Sequence, residues 1–106
     1  MASLEDFKKL ELRIAEIEEA VPHPNADKLY VLSVKVGDIK KNVVAGIRPY
    51  YSVEELKGKK VVLINNLEPA VIRGVESQGM LLAASDESGL TLVTPERAIS
   101  SGATVR

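Results

Sequence analysis

Between Asn65 and Ala84 the chain reads NNLEPAVIRGVESQGMLLAA, which sets amide, guanidinium, hydroxyl and thioether groups among glycines and two apolar runs. These residue types bind ligands better than they transform them. Arg73 carries a planar fork that fits a phosphate or stacks on a base, and Gly74 beside it permits close approach to the backbone. Ser77, Gln78, Gly79 and Met80 follow with a hydroxyl, an amide, bare backbone and a flexible apolar side chain. Asn65 and Asn66 either present amides at the rim of a sheet or end a strand in a turn. Arg73 has a competing role as an ion-pair partner of Glu68 or Glu76, and Met80 has one as a core residue.

Groups suited to catalysis are sparse. His23 is the single histidine, sits between Pro22 and Pro24, and has no cysteine or second histidine to complete a metal site or triad. A turn or backbone contact is the expected role for it. Glu16, Glu18 and Glu19 read as a solvated acidic cluster rather than a paired-carboxylate centre. There is no Walker-type phosphate loop and no dinucleotide glycine fingerprint. The expectation is a non-enzyme that needs neither metal nor cofactor. The binding groups suit single-stranded or splayed RNA better than a duplex, because base faces and backbone are accessible together only there.

A chain of 106 residues with 45% hydrophobic content supports one domain, 1–106, with a modest core. With no cysteine it has no disulfide staple, so added stability is expected from dimerisation. The N-terminus shows no secretory pattern, and no apolar run approaches about 18 residues, so a soluble cytoplasmic protein without membrane contact is expected. The net charge of −1 conceals a central block, residues 28–73, with nine basic and four acidic groups. That block suits a phosphate-facing surface or a mixed solvated one.

Those groups need elements to position them. Ser3 and Asp6 form a capping pattern that starts a short helix. Beyond it, Phe7, Leu10, Ile14, Ile17 and Val21 keep helical spacing, whereas Leu10, Leu12 and Ile14 alternate like a strand; periodicity favours one long helix. Pro22 and Pro24 then impose a turn. Leu29–Val36 reads as a strand with Tyr30, Leu32, Val34 and Val36 on its buried face, and Gly37-Asp38 turns it into a second strand, Ile39–Ala45. Ser52 and Glu55 cap a helical turn over 52–57 that ends at Gly58. Val61–Ile64, Met80–Ala84 and Leu90–Val93 complete a set of short strands, which predicts a small closed β-barrel. Phe7 and Tyr30 face apolar surroundings by pattern, and Tyr50 and Tyr51 either meet a base or anchor their loop.

Four ordered motifs resemble a known family: His23-Pro24-Asn25-Ala26-Asp27-Lys28-Leu29-Tyr30, Val44-Ala45-Gly46-Ile47, Asn66-Leu67-Glu68-Pro69, and Arg73-Gly74-Val75-Glu76-Ser77-Gln78-Gly79-Met80. They are similar to the tRNA-binding domain at the C-terminus of methionyl-tRNA synthetases, which is related to stand-alone tRNA-binding proteins and to endothelial-monocyte-activating polypeptide. The resemblance runs from about Leu4 to Val105. It implies an all-β fold, a five-stranded OB-fold barrel with a short N-terminal helix and a C-terminal extension, assembled as a homodimer. It also implies a helix ending near Lys9 and a long first strand through Leu12 and Ile14, against the periodicity. The implied function is non-catalytic, shape-based tRNA binding that assists a methionyl-tRNA synthetase catalytic chain, as a separate subunit or C-terminal domain. Carried over by position, the tRNA contacts are Asn66, Arg73, Ser77 and Met80, with Lys28, Arg48, Lys59 and Lys60 as phosphate partners. Glu68 stands where the family often has lysine, and Ala45 where it often has serine. Two competing functions are a dimeric peptide-binding export chaperone of the same fold family and a dimerisation-only domain.

Overall fold

A computed structural model describes residues 1–106. The chain opens with helix α1, Leu4–Lys8, whose Ser3 cap and Asp6 side chain close the expected capping box. Strand β1, Leu12–Pro22, follows directly, so the long helix favoured by periodicity does not form. The helical spacing arises first because β1 is buried on both faces, Leu12 and Ile14 in one cluster and Ala15 and Ile17 in another, and then because of a β-bulge. Pairing of β1 with strand β2, Tyr30–Val36, slips between Ile17 and Glu19, so an extra residue enters β1. Leu12 and Ile14 are buried two apart, but Ile17 and Ala20 are buried three apart, and this imitates a helical repeat.

Strand β2 buries Tyr30, Leu32, Val34 and Val36, the face expected from alternation, and a two-residue turn at Gly37-Asp38 leads to strand β3, Ile39–Ala45. Helix α2, Val53–Leu56, is capped by Ser52 and Glu55 and drops Leu56 into the core. Strand β4, Lys60–Ile64, is buried on both faces from Val61 onward. Val61 and Leu63 join the main core with Ile17, Leu32, Val34 and Val43, whereas Val62 and Ile64 join Leu12 and Ile14 in a smaller one. The expected strand Met80–Ala84 divides at Leu82 into β7, Met80–Leu81, and β8, Ala83–Asp86, which pairs with β9, Gly89–Leu92. Between β4 and β7 lies a hairpin that the sequence pattern did not reveal, β5, Ala70–Ile72, and β6, Val75–Ser77. The C-terminal extension ends in β10, Thr104–Val105, laid on β1.

The main sheet runs β3-β2-β1-β4-β7 and curls into the OB-type barrel that the resemblance implied. Its two edges do not meet through a regular strand ladder. Gln78 N–H donates to Asn42 O at 2.8 Å, Asn42 N–H donates to Gln78 Oε1 at 2.9 Å, and Val44 N–H donates to Ser77 Oγ at 2.9 Å. One backbone bond and two side chains therefore hold the seam where a closed barrel would use a continuous backbone ladder.

The second capping box makes a small acid-sensitive element. Ser52 N–H, and then its hydroxyl, hold the Glu55 carboxyl below the usual carboxylate range. Its contribution is complete above the unfolded pKa of about 4.3 and disappears as pH falls through the lower folded value. Glu55→Gln is expected to reduce the drop in melting temperature between about pH 6 and about pH 3, as followed by circular dichroism.

Candidate nucleic-acid interface

Three segments far apart in sequence meet beside the barrel: the loop from His23 to Leu29, the loop after β3, and the tip of the β5–β6 hairpin. His23 is 4% exposed. Its Nδ1 accepts from Asn25 N–H at 2.9 Å, which leaves Nε2 as the donor to Ile72 O at 2.9 Å. Asn25 Nδ2 donates to Arg73 O at 3.3 Å, and Arg73 Nη2 returns a bond to Asn25 O at 3.1 Å. Arg48 Nη1 donates to Ala26 O at 3.4 Å. Lys28 and Arg73 line the same shallow groove of about 420 Å³ between loop and hairpin.

Charge in this region is poorly neutralised within the chain. The four ion pairs are Lys8–Glu5, Lys9–Asp6, Arg13–Glu11 and Lys40–Glu18, and none involves Lys28, Arg48 or Arg73. Arg73 thus pairs with neither Glu68 nor Glu76, and Asp27 is the one acid lining the groove. Three cations grouped about one loop, two of them bonded only to backbone carbonyls, make a surface that attracts phosphates.

The other expected contact residues lie elsewhere and are differently engaged. Ser77 is 3% exposed, with its hydroxyl accepting from Val44 N–H and donating to Gly79 O at 3.1 Å. Its hydroxyl is thus engaged in the barrel seam, and little of it reaches solvent. Gly79 is bare for packing: a Cβ there would lie 3.0 Å from Ile64 O and from Leu63 Cδ1. Asn66 is exposed, yet its Oδ1 accepts from Glu11 N–H at 2.7 Å and its Nδ2 donates to Lys9 O at 2.8 Å, tying the exit of α1 to the end of β4. Met80 is 48% exposed on β7 beside Ile64, which leaves its thioether open to solvent. Lys59 stands 5.9 Å over the Tyr51 ring, and Lys60 Nζ donates to Ile99 O, so both belong to the start of β4 and not to the groove.

Among the aromatics, Tyr30 donates through its hydroxyl to Tyr51 O at 2.6 Å, and Tyr51 Oη accepts from Leu92 N–H at 3.0 Å. The Thr91 hydroxyl and Leu92 N–H hold the Tyr51 phenol below the usual tyrosine range. Tyr51 is therefore the loop anchor, whereas Tyr50 is half exposed. Phe7, expected to face apolar surroundings, is 41% exposed on α1 with Leu4, and Leu10 is exposed just beyond the helix. Glu68 is exposed and unpaired in the loop between β4 and β5. Sequence reasoning missed Asn25, whose partner Arg73 is 48 residues away and leaves no local signal.

A family model described as "Putative tRNA binding domain" matches residues 12–104. The methionine-tRNA ligase of Nanoarchaeum equitans (strain Kin4-M) is 49% identical over 106 residues, all of this chain, which spans 14% of that relative's length. The crystal structure of a MetRS related protein from Pyrococcus horikoshii superposes with a TM-score of 0.92 at 33% identity, covering 100% of this chain and 98% of that one. A CsaA chaperone protein from Picrophilus torridus superposes with a TM-score of 0.92 at 31% identity, covering 100% of both.

Proposed function

The chain belongs to the tRNA-binding domain family, and on that premise we propose that it binds tRNA by general shape, without catalysis, and holds it for a methionyl-tRNA synthetase. The observation that carries this reading is the grouping of Lys28, Arg48 and Arg73 about the 25–29 loop with no acidic partner among them. Phosphates are the chemistry such a group accepts, and no aromatic platform exists for reading bases in series. Met80 adds one exposed apolar contact, while Asn66, Lys59 and Lys60 extend the surface at the two ends of β4.

The chain acts either as a separate subunit or as the C-terminal domain of a longer cytoplasmic synthetase. Tethering multiplies a weak contact through effective concentration, so modest intrinsic affinity is sufficient. We further propose a homodimer. Helix α1 buries none of its residues in the single chain, leaving Leu4 at 66% and Phe7 and Leu10 each at 41% exposure, an apolar edge that a second copy would cover. No helix is long and apolar enough to cross a membrane.

A second reading has a specific basis, because the CsaA chaperone superposes as well as the MetRS related protein does. The two superposed structures are equally similar, at 33% and 31% identity, and it is the 49% identity to the methionine-tRNA ligase along the whole chain, with the match to the tRNA-binding family model, that favours tRNA. Competition separates the two. Protein bound to unfractionated tRNA at low salt should keep it when an excess of an unfolded polypeptide is added, and should sediment as a dimer. Displacement by the polypeptide, with no tRNA bound in return at higher tRNA concentration, would favour the chaperone.

A further inference from the structure

Arg73 is the single non-glycine residue with positive φ, at 52°, and Gly74 follows at 90°. With Ile72 opposite Val75, residues 73 and 74 form a two-residue hairpin turn that needs positive φ at both positions. Asparagine followed by glycine is the sequence that suits such a turn, because an arginine Cβ crowds the backbone there. A hairpin that had only to fold would not carry arginine at this point. The guanidinium is a reason to accept the strain.

Two residues outside the hairpin hold the strained turn in place. Asn25 bonds Arg73 in both directions: its side-chain amide donates to Arg73 O, and its backbone carbonyl accepts from Arg73 Nη2. His23 orients Asn25 through the Nδ1 contact and grips Ile72 O, the carbonyl just before the turn. We propose that Asn25, oriented by His23, is a positioning residue that holds Arg73 at the mouth of the groove for an RNA phosphate. This rests on the tRNA-binding reading. Of the five guanidinium N–H donors one is taken by Asn25 O, and the remainder are free to fork onto the phosphate, with Lys28 on the same groove as a second charge.

A double-mutant cycle with unfractionated tRNA tests it. Asn25→Ala removes the amide that holds the turn but keeps the carbonyl that accepts from Arg73, so it is expected to weaken binding several-fold, less than Arg73→Ala does, yet to have no further effect in the Arg73→Ala background. Equal loss in both backgrounds, or no loss in either, overturns the positioning role while leaving tRNA binding intact. Absence of tRNA binding by the unmodified chain overturns both together. Arg73→Asn leaves Asn25 untouched and serves if Asn25→Ala does not fold. Relief of strain should raise its melting temperature by a few degrees while tRNA affinity falls about tenfold. A lower melting temperature or retained affinity would show that the strain is not kept for the guanidinium.

Discussion

Ser77→Ala is expected to destabilise the fold by about 1–3 kcal/mol, although no exposed atom changes its chemistry. Ser77 is 3% exposed, and its Oγ is the acceptor for Val44 N–H at the seam where β3 faces β6. Alanine would leave that N–H without its partner in a partly buried position, and the whole stability of a domain this size is on the order of 5–15 kcal/mol. The melting temperature should fall by about 5–15 °C. In a urea titration the midpoint should drop at constant slope, as for a loss of stability without a change in the surface exposed. Ser77→Thr keeps a hydroxyl and should lose less. Any loss of tRNA binding in Ser77→Ala should follow the unfolded fraction and recover on cooling. A melting temperature within about 1 °C of the unmodified chain would show that the seam does not depend on this bond.

Reversing the groove's charge is expected to have the largest effect on binding. In Lys28→Glu combined with Arg73→Glu, two cations that line one groove become anions, while the hydrophobic core stays untouched. A hydrogen bond to a charged group is worth about 1.5–3 kcal/mol, and about 1.4 kcal/mol is a factor of ten, so tRNA affinity should fall by at least about 100-fold. The same reversal at Lys59 and Lys60 should cost much less, because one lies over the Tyr51 ring and the other bonds Ile99 O. Glu68→Lys should act in the opposite direction, adding one cation to an exposed loop and steepening the salt dependence by about one counterion. Equal losses from the two double reversals would place the interface along β4 instead of at the groove.

The strands that build the barrel were legible where one simple periodicity holds. Tyr30, Leu32, Val34 and Val36 alternate without interruption, and both capping boxes were visible as local patterns. The first strand was misread from periodicity because Ile14 and Ile17 are buried on opposite faces, and the bulge after Ile17 then changes the spacing of buried residues from two to three. That change depends on pairing with β2, which no local window contains. The β5–β6 hairpin escaped notice because its strands are three residues long and arginine stands where asparagine would announce the turn.

Within the site, residue type was readable but engagement was not. Arg73, Lys28 and Arg48 were identified as cations, yet their grouping depends on Arg73 meeting Asn25 and Arg48 meeting Ala26 across the fold. Ser77 looked like a ligand contact because a hydroxyl beside glycines has that appearance; its burial comes from β3, which lies more than thirty residues earlier in the chain. Asn66 similarly has both halves of its amide occupied by Glu11 and Lys9. The contact set expected from sequence thus divides into three cations about the 25–29 loop, an exposed methionine, two lysines at the start of β4, and two residues, Ser77 and Asn66, whose polar groups are engaged within the fold.

The most direct test is the affinity for unfractionated tRNA, measured against salt concentration, for the unmodified chain and for Arg73→Ala. Binding is expected at low salt and should weaken linearly on logarithmic axes, with a slope made shallower by about 0.7–0.9 when Arg73 is removed. No binding at low salt, or an Arg73→Ala line that coincides with that of the unmodified chain, would contradict that expectation.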